Sequence, residues 1–217
     1  MAIVKAAGSL ILAGAAWLAG AAQFPVRHEH IKWSCTGTMS IDGEGVSFRG
    51  PKKHTWTWRF EDIREFRLAP HEVAVVTYQD NKWRPGADRV YRFTGEVPAA
   101  ELYSLLKDRL DQRFVAQIGV APEAPEYAVA VKHLGRITGS EGTLAFGADA
   151  VVYATGARGE SRTWRYTDID RISSSGRFQL TITTMEKGFN FELKQPITEA
   201  RYNQIWLEIQ KKNGRIQ

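Results

Sequence analysis

Apolar and polar residues alternate through most of this 217-residue chain, and the pattern occurs twice. Met39 and Ile41 alternate with Thr38 and Ser40, Val46 and Phe48 flank Ser47, and Trp56, Trp58 and Phe60 alternate with Thr57 and Arg59. About 105 residues later Leu144 and Phe146, Val151 and Tyr153, and Trp164 and Tyr166 repeat it. A period of two puts one set of side chains on one face of a strand, the signature of half-buried antiparallel sheet. Further strands are predicted at 73–78, 90–93, 178–183 and 189–193. Turn sequences separate them: Asp42-Gly43-Glu44-Gly45, Arg49-Gly50-Pro51 and Thr155-Gly156-Ala157-Arg158-Gly159.

At the end of each copy the period changes. Pro98-Ala99-Ala100-Glu101 opens a helix, and Leu102, Leu105, Leu106 and Leu110 form one apolar stripe along it. In the second copy Thr198 is the predicted N-cap, and Tyr202, Ile205, Trp206 and Ile209 make the stripe. Identities recur as well. Gly37-Thr38-Met39-Ser40-Ile41 returns as Gly142-Thr143-Leu144-Ala145-Phe146, and Trp58-Arg59-Phe60-Glu61-Asp62-Ile63 as Trp164-Arg165-Tyr166-Thr167-Asp168-Ile169. Solenoid units run roughly 20–50 residues, so a repeat this long is a duplicated small domain. The prediction is a mainly β fold with α: two tandem barrels, 24–115 and 127–217, each of about seven antiparallel strands closed by a C-terminal amphipathic helix. Residues 116–126, with Gly119, Pro122 and Pro125, read as a semi-rigid linker.

Those residues carry a resemblance. The Gly-Thr-(Met/Leu)-x-(Ile/Phe) strand, the second strand ending in Phe48 or Tyr153, the Trp-Arg-(Phe/Tyr)-x-Asp-Ile strand end and the closing helix resemble the pleckstrin-homology-like superfamily, in its bacterial and GRAM-like branch. The resemblance covers both copies and implies a binding module. The superfold hosts many binding roles, so it implies no particular ligand. A phosphoinositide reader of that superfamily is expected to gather Lys and Arg on its first hairpin. Here that hairpin is Asp42-Gly43-Glu44-Gly45 in one copy and Gly147-Ala148-Asp149-Ala150 in the other, which argues against inositol lipid.

The N-terminus changes the picture of location. Residues 1–22 carry a single charge, Lys5, then an uncharged Ala- and Leu-rich run closing in Ala19-Gly20-Ala21-Ala22. This is the layout of a secretory signal peptide cleaved after Ala21 or Ala22, with an uncleaved membrane anchor as the alternative. The expected location is periplasmic or extracellular. Cys35 is the only cysteine, so no intrachain disulfide forms; this fits a bacterial envelope protein better than a disulfide-stapled secreted domain. The net charge of +5 is spread evenly over both halves, which gives no sign of a nucleic-acid partner.

Candidate chemistry is sparse. Arg49, Lys52, Lys53 and His54 make the best basic cluster, on a hairpin loop that could meet an anionic phosphate or lipid headgroup at a membrane surface. The second copy has Arg158, Glu160 and Arg162 there instead, so the cluster is not duplicated. His28-x-His30 puts two imidazoles on one strand face, a spacing that can hold a metal. No third ligand is evident, with His54, His71 and His133 scattered, so no metal or other cofactor is expected. Cys35, beside Trp33, reads as a buried inert thiol. Gly156-Ala157-Arg158-Gly159 matches a Gly-x-x-Gly nucleic-acid clamp but joins strands rather than helices, so it reads as a turn. Trp58 and Trp164 read as core anchors, and Asp62 and Asp168 as turn carboxylates that accept backbone N–H bonds. No nucleophile elbow, phosphate-binding loop or His-Glu-x-x-His motif is present. The expectation is a non-enzymatic exported binding or scaffolding module with a protein or peptide partner. The alternatives are an envelope-associated module binding anionic lipid through the basic loop, and a small hydrolase without a recognisable motif.

Overall fold

The computed structural model of the chain describes residues 16–18, 21–30, 33–51, 54–119, 124–135 and 138–216, the first three by their backbone alone. The first half runs β1 (Ala16–Leu18), β2 (Ala21–Glu29), β3 (Ser34–Ile41), β4 (Gly45–Arg49), β5 (Thr55–Arg59), a 3-10 turn at Phe60–Asp62, β6 (Ile63–Ala69), β7 (Glu72–Asp80), β8 (Asp88–Thr94) and α1 (Ala99–Leu106). A short strand, β9 (Phe114–Ala116), follows. The second half runs β10 (Tyr127–His133), β11 (Ser140–Phe146), β12 (Ala150–Thr155), β13 (Arg162–Arg165), a 3-10 turn at Tyr166–Asp168, β14 (Ile169–Gly176), β15 (Gln179–Thr184), β16 (Gly188–Leu193) and α2 (Glu199–Lys212).

The halves share one topology. Their strands pair in the orders β6-β7-β8-β2-β3-β4-β5 and β14-β15-β16-β10-β11-β12-β13. Each sheet folds around its own core. Phe24, Met39, Phe48, Trp58, Phe66, Val75 and Phe93, one from each strand, meet Leu102 and Leu106 of α1 in one cluster. Val131, Leu144, Tyr153, Trp164, Ile172, Ile182 and Phe191 meet Ile205 and Ile209 of α2 in the other. Trp58 and Trp164 are 4% and 5% exposed, the anchoring role expected of them. The recurring glycine has a packing reason. A Cβ at Gly37 would strike the Arg49 carbonyl and the Phe48 ring, and one at Gly142 the Ala154 carbonyl, so neither strand crossing admits a side chain.

Neither half is the closed barrel expected. The strands form one continuous open ladder in which β5 and β6 are not neighbours, nor β13 and β14. At both gaps the chain turns out of the ladder as a 3-10 turn, and a side chain beyond the helix satisfies the freed carbonyls. Arg113 Nη1 donates to the Phe60 and Ile63 carbonyls at 3.0 and 3.2 Å. Asn213 Nδ2 donates to those of Tyr166 and Ile169 at 3.1 Å each. Phe60, expected to point inward on a strand, therefore opens a turn and is half-buried.

The two halves join because β9 pairs parallel with β6 and antiparallel with β13. Two further bonds continue it: Gln117 N–H donates to the Leu68 carbonyl at 2.7 Å, and the Thr163 hydroxyl to the Ile118 carbonyl at 2.8 Å. The start of the predicted linker is thus sheet; residues 120–123 lie outside the described residues. The helices differ from expectation at their ends. The α1 helix stops at Leu106, with Leu110 buried in the turn beyond it, and on α2 Trp206 is 38% exposed while Gln210 joins the buried side. Thr198 caps α2 as predicted, accepting from Arg201 N–H at 3.2 Å.

Arg113→Ala and Asn213→Ala each strand two part-buried carbonyls, so each is expected to cost about 1–3 kcal/mol of stability, measured by urea denaturation. Ser104→Ala, on an exposed helix surface, is expected to change little and serves as the control.

Candidate functional site

The inward face of β2 reads Ala22, Phe24, Val26, His28, so an apolar row ends in a buried imidazole where the sheet opens. Directly across the ladder His28 is paired with Cys35 of β3, also buried. Two residues on, His30 lies on the same side. Its Nε2 is 3.1 Å from His28 Nδ1 and 3.5 Å from Cys35 Sγ. Trp33 stacks on His30 with ring centroids 3.8 Å apart and planes 17° from parallel. His54, just before β5, brings its ring centroid to 4.9 Å from those of His30 and Trp33. Its Nδ1 is buried and, among the described residues, has no hydrogen-bond partner.

Glu29, Trp56, Trp83, Arg89, Val90 and Tyr91 complete a cleft of 830 Å³. Trp33 and Trp83 are 52% and 87% exposed, so this end of the first half presents large aromatic surface to solvent. Isolated exposed apolar residues are ordinary, but a contiguous group of them marks a binding surface. The electrostatics favour uncharged imidazoles. Burial, reinforced by His30, His54 and Arg89, holds His28 down to about 4. Burial and His54 lower His30, and burial raises the Cys35 thiol.

The second half is an internal reference. Counting by the repeat, His28 corresponds to His133, His30 to Gly135, Cys35 to Ser140, His54 to Glu160 and Trp56 to Arg162. There Arg162 makes a bidentate pair with Glu186 at 3.0 and 2.9 Å, both side chains largely buried, and Glu160 lies 3.7 Å from His133 Nδ1. Among the described residues, the aromatic-histidine cleft is therefore a property of the first half alone.

Of the sequence-predicted basic loop, His54 lines this cleft. Arg49 is exposed at the end of β4, His54 turns its ring into the cleft, and Lys52 and Lys53 lie outside the described residues. His28, His30, Cys35 and His54, scattered along the sequence, come together. Two signals could have found them: the repeat offset, which matches His28 to His133, and the tight β2–β3 connection, which sets His28 opposite Cys35. Of the two turn aspartates, Asp168 accepts the Arg165 backbone N–H at 3.1 Å as expected, whereas Asp62 is exposed. Gly156 to Gly159 form the β12–β13 turn, with Gly159 at φ 76°.

No protein-family model and no curated protein matches the sequence. Solved structures similar to the chain include the N-terminal PH domain of human ARAP2, at 12% identity over 46% of this chain and 92% of that one, TM-score 0.35. Another is the Spt16D Pob3N heterodimer, at 12% identity over 77% of this chain and 84% of that chain, TM-score 0.35. A third is the C-terminal domain of an unknown protein from Leishmania infantum, at 11% identity over 40% of this chain and 84% of that chain, TM-score 0.33. With TM-scores this low, the functional reading rests on the geometry of the chain itself.

His133 supplies a pH test of the fold. Burial lowers it from its ordinary 6.5, helped by Lys187 and Arg162 and opposed by Glu160 and Glu186. The unfolded chain takes up this proton near 6.5 and the folded one only at lower pH. The contribution to stability is thus complete above 6.5 and is lost as pH falls below it. His133→Leu is expected to flatten the acid limb of stability against pH, measured by urea denaturation at a series of pH values.

Proposed function

We propose that the chain is a non-enzymatic binding module of two pleckstrin-homology-like units, and that its ligand is an extended segment of a protein partner. The observation that carries this reading is the free edge of β5 beside the aromatic cleft. Sheet edges are usually blunted by bulges, charges or a covering segment. The opposite end of the ladder, β14, has two register shifts and ends in Ser173-Ser174-Ser175-Gly176, and β1, paired only with β2, is three residues long. The β5 strand pairs with β4 in unbroken register and is left open on its outer side. Its counterpart β13 already carries an added strand, β9. An extended peptide laid along β5 would gain main-chain hydrogen bonds, with Trp33, Trp56 and Trp83 within reach as side-chain anchors.

The pleckstrin-homology-like assignment is supported by the shared strand order and the closing helix of the two halves. Export through residues 1–22 remains part of the proposal, with the periplasm or the outside of a bacterial cell as destination. Cleavage after Ala22 would leave β2 from Gln23 onward, keeping Phe24, Val26 and His28.

Two measurements test this. A partner captured from the envelope fraction is expected to protect the amides of 55–59 from hydrogen exchange, and Trp83→Ala to weaken it by at least about 10-fold. Binding that leaves 55–59 unprotected refutes the edge. Co-sedimentation with anionic liposomes that disappears in Lys52→Glu/Lys53→Glu would transfer the function to the basic loop and a lipid ligand. For export, intact mass of the native protein is expected to show loss of about 22 residues; a full-length mass means an anchor.

A further inference from the structure

The peptide reading uses the aromatic surface of the cleft and leaves its polar floor unexplained. His28, His30 and Cys35 place their potential ligand atoms within 4.8 Å of one another. We propose that these three side chains form a binding site for a borderline or soft d-block cation, with Zn²⁺ as the reference case and the ring of His54 beside that of His30.

The spacing fits such an ion. Two imidazole nitrogens bound tetrahedrally at about 2.0–2.1 Å sit about 3.3–3.4 Å apart, and a nitrogen and a thiolate sulfur about 3.6 Å apart. The separations here are 3.1 Å for His28 and His30 and 3.5 Å for His30 and Cys35. The donor set selects the class of ion. Imidazole with thiolate suits Zn²⁺ or Cu⁺, and no carboxylate in this cluster would favour Mg²⁺ or Ca²⁺. The support around the ligands is also in place. Trp33 stacks on His30, Trp56 packs 4.8 Å from His28, and the β2–β3 ladder fixes His28 opposite Cys35. Such an apolar shell orients ligands and limits solvent access. Arg89, the nearby cation, lies over the face of Tyr91 at 4.7 Å.

The ordinary alternative is a histidine that merely ends a core row, and the second half shows what that looks like. His133 holds the same place beside Gly135, Ser140 and Glu160 and forms no such cluster. In the first half those three neighbours are His30, Cys35 and His54, all ligating types, and the ligand atoms of His30 and Cys35 lie within 4.8 Å of that of His28. Packing explains one imidazole in each half. It does not explain two further ligating residues, His30 and Cys35, converging on His28 in only one of them.

The test uses the untagged full chain, reduced and stripped with chelator, with Co²⁺ and Zn²⁺ as probes. All four residues lie beyond Ala22, so processed and unprocessed chains serve equally. One equivalent of Co²⁺ is expected to bind with the visible spectrum of a tetrahedral site and a thiolate charge-transfer band, and Zn²⁺ to displace it. Cys35→Ser should remove the charge-transfer band. His30→Gln, at a half-buried position, should weaken binding by more than the roughly 10–100-fold that follows loss of an outer-shell partner. His71→Gln should change nothing. Zn²⁺ should also raise the Tm of the wild-type chain with concentration, a readout that needs no variant. A folded wild-type chain that takes up neither ion, or one whose uptake survives both Cys35→Ser and His30→Gln, overturns the proposal.

Discussion

Phe114–Ala116 hydrogen-bonds to β6 on one side and to β13 on the other, and the arrangement of the molecule follows from that double pairing. A strand offers two edges, and here each edge is taken by a different half. Two separately cored sheets thereby become one ladder. Arg165 strengthens the junction by holding Asp168 at 2.6 Å while donating to the Asp111 carbonyl, and Gln112 reaches the Thr167 carbonyl at 3.2 Å. The pairing is head-to-tail: it covers β6 of the first half and β13 of the second. It therefore leaves β5 and β14 as the two ends of the ladder, β5 in unbroken register with its neighbour and β14 with two register shifts.

The same duplication separates scaffold from specialisation. Glycine at the strand crossing, tryptophan in the core, the 3-10 turn and a side chain that satisfies its carbonyls occur in both halves because the fold cannot be built without them. Arg113 and Asn213 make this plain: different residues, from different local structure, meet the same two carbonyl positions. The cleft shows the reverse. A salt-bridged Arg162–Glu186 pair closes the second half where the first half opens onto Trp56, Tyr91 and the histidines. Burying that ion pair needs good bidentate geometry, which its two hydrogen bonds provide.

Much of the fold was legible in the sequence. The alternation of Met39, Ile41, Val46, Phe48 and Trp58 located β3 to β5, and Thr198 with Ile205 and Ile209 located α2. What escaped were features without local signal. The β9 strand is three residues long and owes its existence to partners about 50 residues away on either side. Phe60 continued the alternation in sequence, yet the chain turned at it because the carbonyls there had a guanidinium to receive them. In the site, His54 was seen, but as part of a solvent-facing basic loop; Cys35 was read as an inert thiol, and His28 and His30 as an incomplete pair.

By itself, the sequence determined the duplication, the strand periodicity, the closing helices and the residues that fill each core. These follow from side-chain period and from which groups water expels, and both are local properties. Only the tertiary structure decided which edges are covered, which half is left open, and that the ligand atoms of His28, His30 and Cys35 come within 4.8 Å of one another. Those outcomes depend on pairing between strands distant along the chain, where the register of β2 against β3 brings a thiol to an imidazole that no local pattern connects.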